Sequence, residues 1–123
     1  MAHKGMKEFT GEELSGIALG QNGFKIIGNT SGDTEIECGV TAGYTDIQYF
    51  VALKAVDADA DIEARSYIKN SDDISANSGS YNGGSNDITI LNGDVIYGAF
   101  DKIWVEDTSS KGYIIAYIGR QIT

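Results

Sequence analysis

From Phe24 to the end of the chain, apolar side chains return mostly at every second position, in short runs broken by Gly, Asn, Asp and Ser. A period of two is the spacing of a strand with one face turned to a core. The pattern predicts strands over Phe24–Ile27, Thr34–Thr41, Ile47–Val56, Asp61–Lys69, Asp87–Leu91, Val95–Phe100, Lys102–Glu106 and Tyr113–Ile118. Many short strands at fairly regular spacing indicate an all-β fold, an antiparallel β-sandwich or jelly-roll-like domain. Asn92-Gly93, between two β-rich runs, is the signal of a type I′ hairpin turn.

Two segments depart from simple alternation. Ile47–Val56 is apolar on both faces, with Tyr49, Val51 and Leu53 on one and Phe50, Ala52 and Val56 on the other, so it is expected at the centre of the fold. Residues 57–69 alternate cleanly. Ala58, Ala60, Ile62, Ala64 and Ile68 are expected inward, and Asp57, Asp59, Asp61, Glu63 and Arg65 outward. The polar, Ser/Asn/Gly-rich stretch Asn70–Asn86 reads as one long loop, of the kind that is usually functional or disordered.

Residues 1–19 show no period-two pattern. Thr10-Gly11-Glu12-Glu13 fits a capping box, and Leu14, Ile17 and Ala18 form one apolar stripe, preceded by Phe9. Gly16 and Gly20 hold such a helix to about two turns, too short to stand alone in water. The segment is either a frayed terminus or an arm that orders against a partner, with Phe9, Leu14 and Ile17 as its contacts. The chain thus divides into an arm, 1–19, and a β-domain, 20–123.

Composition narrows the partners. The 123 residues carry 18 acids against nine Lys and Arg, a formal charge of −9, which disfavours nucleic acid and anionic membrane surfaces alike. No apolar run approaches the roughly 18 residues of a membrane span. Proline is absent and glycine, at 16 residues, supplies the sharp turns. Cys38 is the single cysteine, so no intrachain disulfide forms. It shares a face with Ile36 and Val40 and reads as a small buried hydrophobe.

Candidate chemistry is sparse. Asp57, Asp59 and Asp61 resemble the start of a calcium loop, but that loop needs glycine at 62 and an acid at 68, where Ile62 and Ile68 stand. A solvated acidic row that protects a strand edge is favoured over a weak divalent site. The single histidine, His3, lies in the arm, so no Ser-His-Asp or Cys-His arrangement can be held rigidly. No phosphate loop, dinucleotide fingerprint or zinc spacing is present. The expectation is a protein that is not an enzyme and uses no metal or cofactor. Aromatic residues are more suggestive. Trp104 is out of phase with Ile103 and Val105, and Tyr97, Tyr113 and Tyr117 share faces with apolar neighbours. Such residues either face a partner or belong to strands buried on both sides.

The run Leu91-Asn92-Gly93-Asp94-Val95-Ile96-Tyr97-Gly98-Ala99-Phe100-Asp101-Lys102-Ile103-Trp104-Val105, a Ser/Gly turn, and then Tyr113-Ile114-Ile115-Ala116-Tyr117 resembles the ending of small virion proteins of tailed bacteriophages. Those commonly close with a glycine-marked turn, a strand reaching a K-I-x-V element, a Ser/Thr/Gly turn and a last strand ending in A-Y. The resemblance implies a capsid decoration (cement) protein, often a homotrimer on a local symmetry axis. Its partner would be the major capsid protein on the capsid exterior, after synthesis in the host cytoplasm. The alternative is a carbohydrate- or receptor-binding β-domain of a phage tail or fibre, using Trp104 and the Asn70–Asn86 loop.

Overall fold

The computed structural model describes residues 22–28, 34–76, 80–106, 108 and 111–122. The expected arm, with Phe9, Leu14 and Ile17, lies outside them. The described chain is all-β, with seven strands: β1 (Phe24–Gly28), β2 (Thr34–Glu37), β3 (Ile47–Val56), β4 (Ala60–Ser66), β5 (Ile88–Ile90), β6 (Val95–Val105) and β7 (Tyr113–Gln121). All pairings are antiparallel, in the order β1-β7-β3-β6-β4-β5, with β2 also on β6.

Register shows how one hydrogen-bonded sheet encloses a core. Lys54 pairs with Val95 at the start of β6, and Ile62 pairs with Val105 at its end. A straight strand would hold those ends about 33 Å apart. The eight residue steps from Lys54 to Ile62 reach about 28 Å at full extension, and a turn with Asp57 at φ 66° shortens that path. β6 therefore curves and the sheet curls with it, bringing β1, β7, β3 and the start of β6 into one half and β2, the end of β6, β4 and β5 into the other. Ile27, Ile36, Phe50, Leu53, Ile62, Ile103, Ile114 and Ile118 pack together between the halves. Burying each large aliphatic or aromatic side chain contributes about 1.5–3 kcal/mol.

Several expectations are corrected. The two strands expected on either side of Asp101 are one, because the Arg65 guanidinium holds that carboxylate through Nε–Oδ1 at 2.9 Å and Nη2–Oδ2 at 3.0 Å. β2 stops at Glu37, whose carbonyl accepts from Val40 and Thr41 N–H and turns the chain. Val40 is consequently exposed and Cys38 only half-buried against the core. A bulge between Phe50 and Ala52 reverses the phase of β3, so Phe50, Leu53 and Ala55 share the core face. Asn92-Gly93 does form a tight turn, with Gly93 at φ 88° and Asp94 N–H donating to Leu91 O. It is not a hairpin turn, since β5 pairs with β4 while β6 pairs with β3, β4 and β2. Ile68 is exposed rather than inward, because β4 ends at Ser66. Glu63 is the largest departure: expected in solvent, it is completely buried.

Candidate functional site

The outer faces of the two halves differ in kind. Over β2, β4 and the end of β6, cross-strand rows place Glu37 beside Lys102 and Arg65, and Glu35 beside Trp104 and Glu63. The charges are paired: Arg65 Nη2 lies 3.0 Å from Glu37 Oε1, and Lys102 Nζ 2.9 Å from Glu35 Oε1. The lysine hydrogen bond lowers the pKa of Glu35 against a smaller opposing effect of burial, and the carboxylates beside Arg65 raise that of the guanidinium.

Over this charged half lies the chain's own loop. Glu63 accepts two backbone N–H bonds from it, Asn82 N to Oε1 at 2.6 Å and Gly84 N to Oε2 at 2.5 Å. Asp73 accepts from Ser66 N at 2.9 Å and Tyr81 N at 3.1 Å. Both carboxylates thus replace water for backbone donors that a loop otherwise leaves to solvent. Gly84 then rests on the Trp104 indole: a Cβ there would stand 2.7 Å from Cζ2 and 2.8 Å from Cδ2, and its φ is 92°. Tyr81 packs under Lys102 Nζ, 5.3 Å from the ring centroid, and burial, then the Glu35 charge, raises its pKa. Trp104 is accordingly buried under residues of its own chain. The described residues of the Asn70–Asn86 loop form a lid on the sheet.

The other half has no such lid among the described residues. One cross-strand row runs Phe24, Tyr117, Ala52, Tyr97, and the next runs Ile26, Ile115, Lys54, Val95. Paired residues share a face, and these are the face turned away from the core. Phe24, Ile26 and Tyr97 are 53%, 57% and 61% exposed, while Tyr113 and Tyr117 are half-buried. Phe24 leans on Tyr117 with ring centroids 6.2 Å apart, and Tyr49 on Tyr67 at 4.9 Å. No carboxylate occupies either row, and Lys54 is the one charged side chain in them.

Of the residues singled out from sequence, Tyr97, Tyr113 and Tyr117 come together on this open face, and Trp104 lies on the covered half. Phe24 and Ile26 were missed as surface residues. Their strand alternates, but only the register with β7 shows which set points outward. The acidic row is not a row, since Asp57 and Asp59 sit in the β3–β4 turn. Asp59 accepts from Asn92 N at 2.8 Å and Asp61 from the Thr89 hydroxyl at 2.6 Å. Ligand atoms of Asp61, Asp87 and Glu106 do fall within 4.8 Å of one another, all on partly exposed residues. Comparison with protein-family models, with curated proteins and with solved structures gives no match to this chain.

Proposed function

We propose that this protein is a structural component of a tailed-phage virion, a decoration protein that binds the major capsid protein at capsomer junctions on the capsid exterior. The observation that carries the reading is the open aromatic face. β7 and the start of β6, in the segment whose sequence resembles the ending of small virion proteins, give it Tyr97, Tyr113 and Tyr117, and β1 adds Phe24 and Ile26. An exposed, contiguous apolar face of several hundred Å² marks an interaction surface. Tyr and Phe suit such a surface because they bury much area and carry little rotamer freedom. A cement protein engages several neighbours at once, so individually weak contacts add by multivalency. The arm, residues 1–19, supplies a second contact with Phe9, Leu14 and Ile17. The rival sugar-binding reading depends on Trp104, whose indole is held beneath Gly84 rather than offered to a ligand.

Mixing the full-length protein with cognate capsids that lack it, then pelleting the capsids, tests the reading. The protein should co-sediment to saturation at micromolar concentration, and removal of residues 1–19 should weaken that binding at least tenfold. Protein that stays in the supernatant refutes the proposal.

A further inference from the structure

We infer that Asn82 is a self-modification site, at which the Gly83 backbone nitrogen and water convert the side-chain amide to aspartate and isoaspartate and thereby release the lid. The inference stands independently of the virion reading. Three Asn-Gly pairs occur in the chain, Asn22-Gly23, Asn82-Gly83 and Asn92-Gly93. Glycine in each offers the preceding side chain an uncrowded nitrogen. The fold treats the three differently. Gly93 N–H donates to Ala55 O at 2.8 Å, which commits that nitrogen to the sheet. Asn22 Nδ2 donates to Gly119 O at 2.9 Å, which ties that amide to β7. Asn82 and Gly83 are both exposed, and nothing stands within 4 Å of a Cβ built on Gly83. Gly83 N–H meets no acceptor among the described residues. Asn82 Oδ1 in turn accepts from Ser85 N–H at 3.2 Å. That donor draws electron density from the amide carbon and stands where an oxyanion would form.

The step balances with water alone. The Gly83 nitrogen loses its proton to hydroxide and bonds to Asn82 Cγ. The Cγ–Nδ2 bond breaks, and Nδ2 leaves as ammonia with a proton from water, closing a succinimide ring. Water then opens the ring at either carbonyl. Opening at Cγ gives aspartate on the original backbone; opening at the α-carbonyl gives isoaspartate, whose backbone runs through Cβ and Cγ. Both products add a carboxylate, and the second lengthens the main chain by one carbon, about 1.5 Å. The change falls between the two donors that Glu63 grips, Asn82 N at 2.6 Å from Oε1 and Gly84 N at 2.5 Å from Oε2. One carboxylate fits that pair of N–H groups only at its present spacing, and the new negative charge repels the buried Glu63. The grip opens, and Gly84 leaves the Trp104 indole.

Incubating the folded full-length protein at pH 8 and 37 °C, with peptide mapping by mass spectrometry at intervals, reads this directly. The expected result is conversion at Asn82 at least fivefold faster than at Asn22 or Asn92, a preference that unfolding in urea abolishes. Isoaspartyl methyltransferase should label the Asn82 peptide. Trp104 emission should shift to the red in step with the conversion. An Asn82→Ser variant, which lacks the amide and keeps a side-chain oxygen, should hold its emission constant over the same period. The wild-type measurement decides the site without any substitution. Asn82 still intact when the urea-unfolded chain has converted, or Asn22 or Asn92 converting as fast as Asn82 in the folded protein, overturns the inference. Complete conversion at Asn82 with unchanged emission overturns the release of the lid.

Discussion

Glu63→Gln keeps the shape of a completely buried side chain and removes its charge. In the native protein both carboxylate oxygens are used, one by Asn82 N–H and one by Gly84 N–H. A glutamine amide has one oxygen, so one loop N–H would keep an acceptor and the other would face an NH₂ group. Each charge-assisted bond is worth about 1.5–3 kcal/mol, and a buried donor left unsatisfied costs about 1–3 kcal/mol. Against this, a neutral amide escapes part of the desolvation cost of a buried carboxylate. The net loss expected is about 2–4 kcal/mol, or roughly 6–15 °C in Tm for a domain of this size.

The effect should also be local and visible. Trp104 is the single tryptophan and lies directly under Gly84. Loosening the loop wets the indole, so emission should shift to the red and acrylamide quenching should rise at temperatures where the variant remains folded by circular dichroism. Glu63→Gln with Tm within 1 °C of wild type and unchanged emission would refute the assignment of Glu63 as the anchor of the lid.

The remaining expectations concern the lid, the thiol and the acids. Gly84→Ala drives a methyl into the indole at a φ of 92°, and should lower Tm by several degrees with the same fluorescence change; a neutral result would show that the lid stands off the ring. Burial, ahead of Asp101 and outweighing Arg65, pushes the Cys38 thiol up to about 12. The native thiol should therefore alkylate with iodoacetamide at pH 8 at least tenfold slower than the unfolded chain. By linkage, its contribution to stability is complete below an unfolded pKa near 9.0 and declines as pH rises above it, which alkaline melts would show. Stripping divalent cations with EDTA should leave Tm unchanged within about 1 °C, because Asp59 and Asp61 already serve Asn92 N–H and the Thr89 hydroxyl. A fall of several degrees would assign a cation to Asp61, Asp87 and Glu106.

Periodicity made the strands legible, and it located β3 to the residue because Ile47–Val56 is a long run bounded by turn residues. It could not show the bulge after Phe50, which leaves no mark in residue type and reverses inside and outside along the strand. Asp101 looked like a break because an isolated acid rarely continues a strand; its guanidinium partner lies 36 residues away. Glu63 alternates with Ala and Ile as a solvent-facing acid should, and the lid that buries it comes from a loop with no apolar pattern. Trp104 was legible as a residue needing a cover, but not that Gly84 provides it. The aromatic face was half visible: Tyr97, Tyr113 and Tyr117 stand out by type, whereas Phe24 and Ile26 join them only through the β1–β7 register.

The proposed role has a tailed phage encode this chain, and quantitative mass spectrometry of that phage's purified virions tests it most directly. The account predicts that the protein remains with the particles through density-gradient purification, in a constant ratio to the major capsid protein across preparations. Complete absence from washed virions, with abundant protein in the infected-cell lysate, would contradict it.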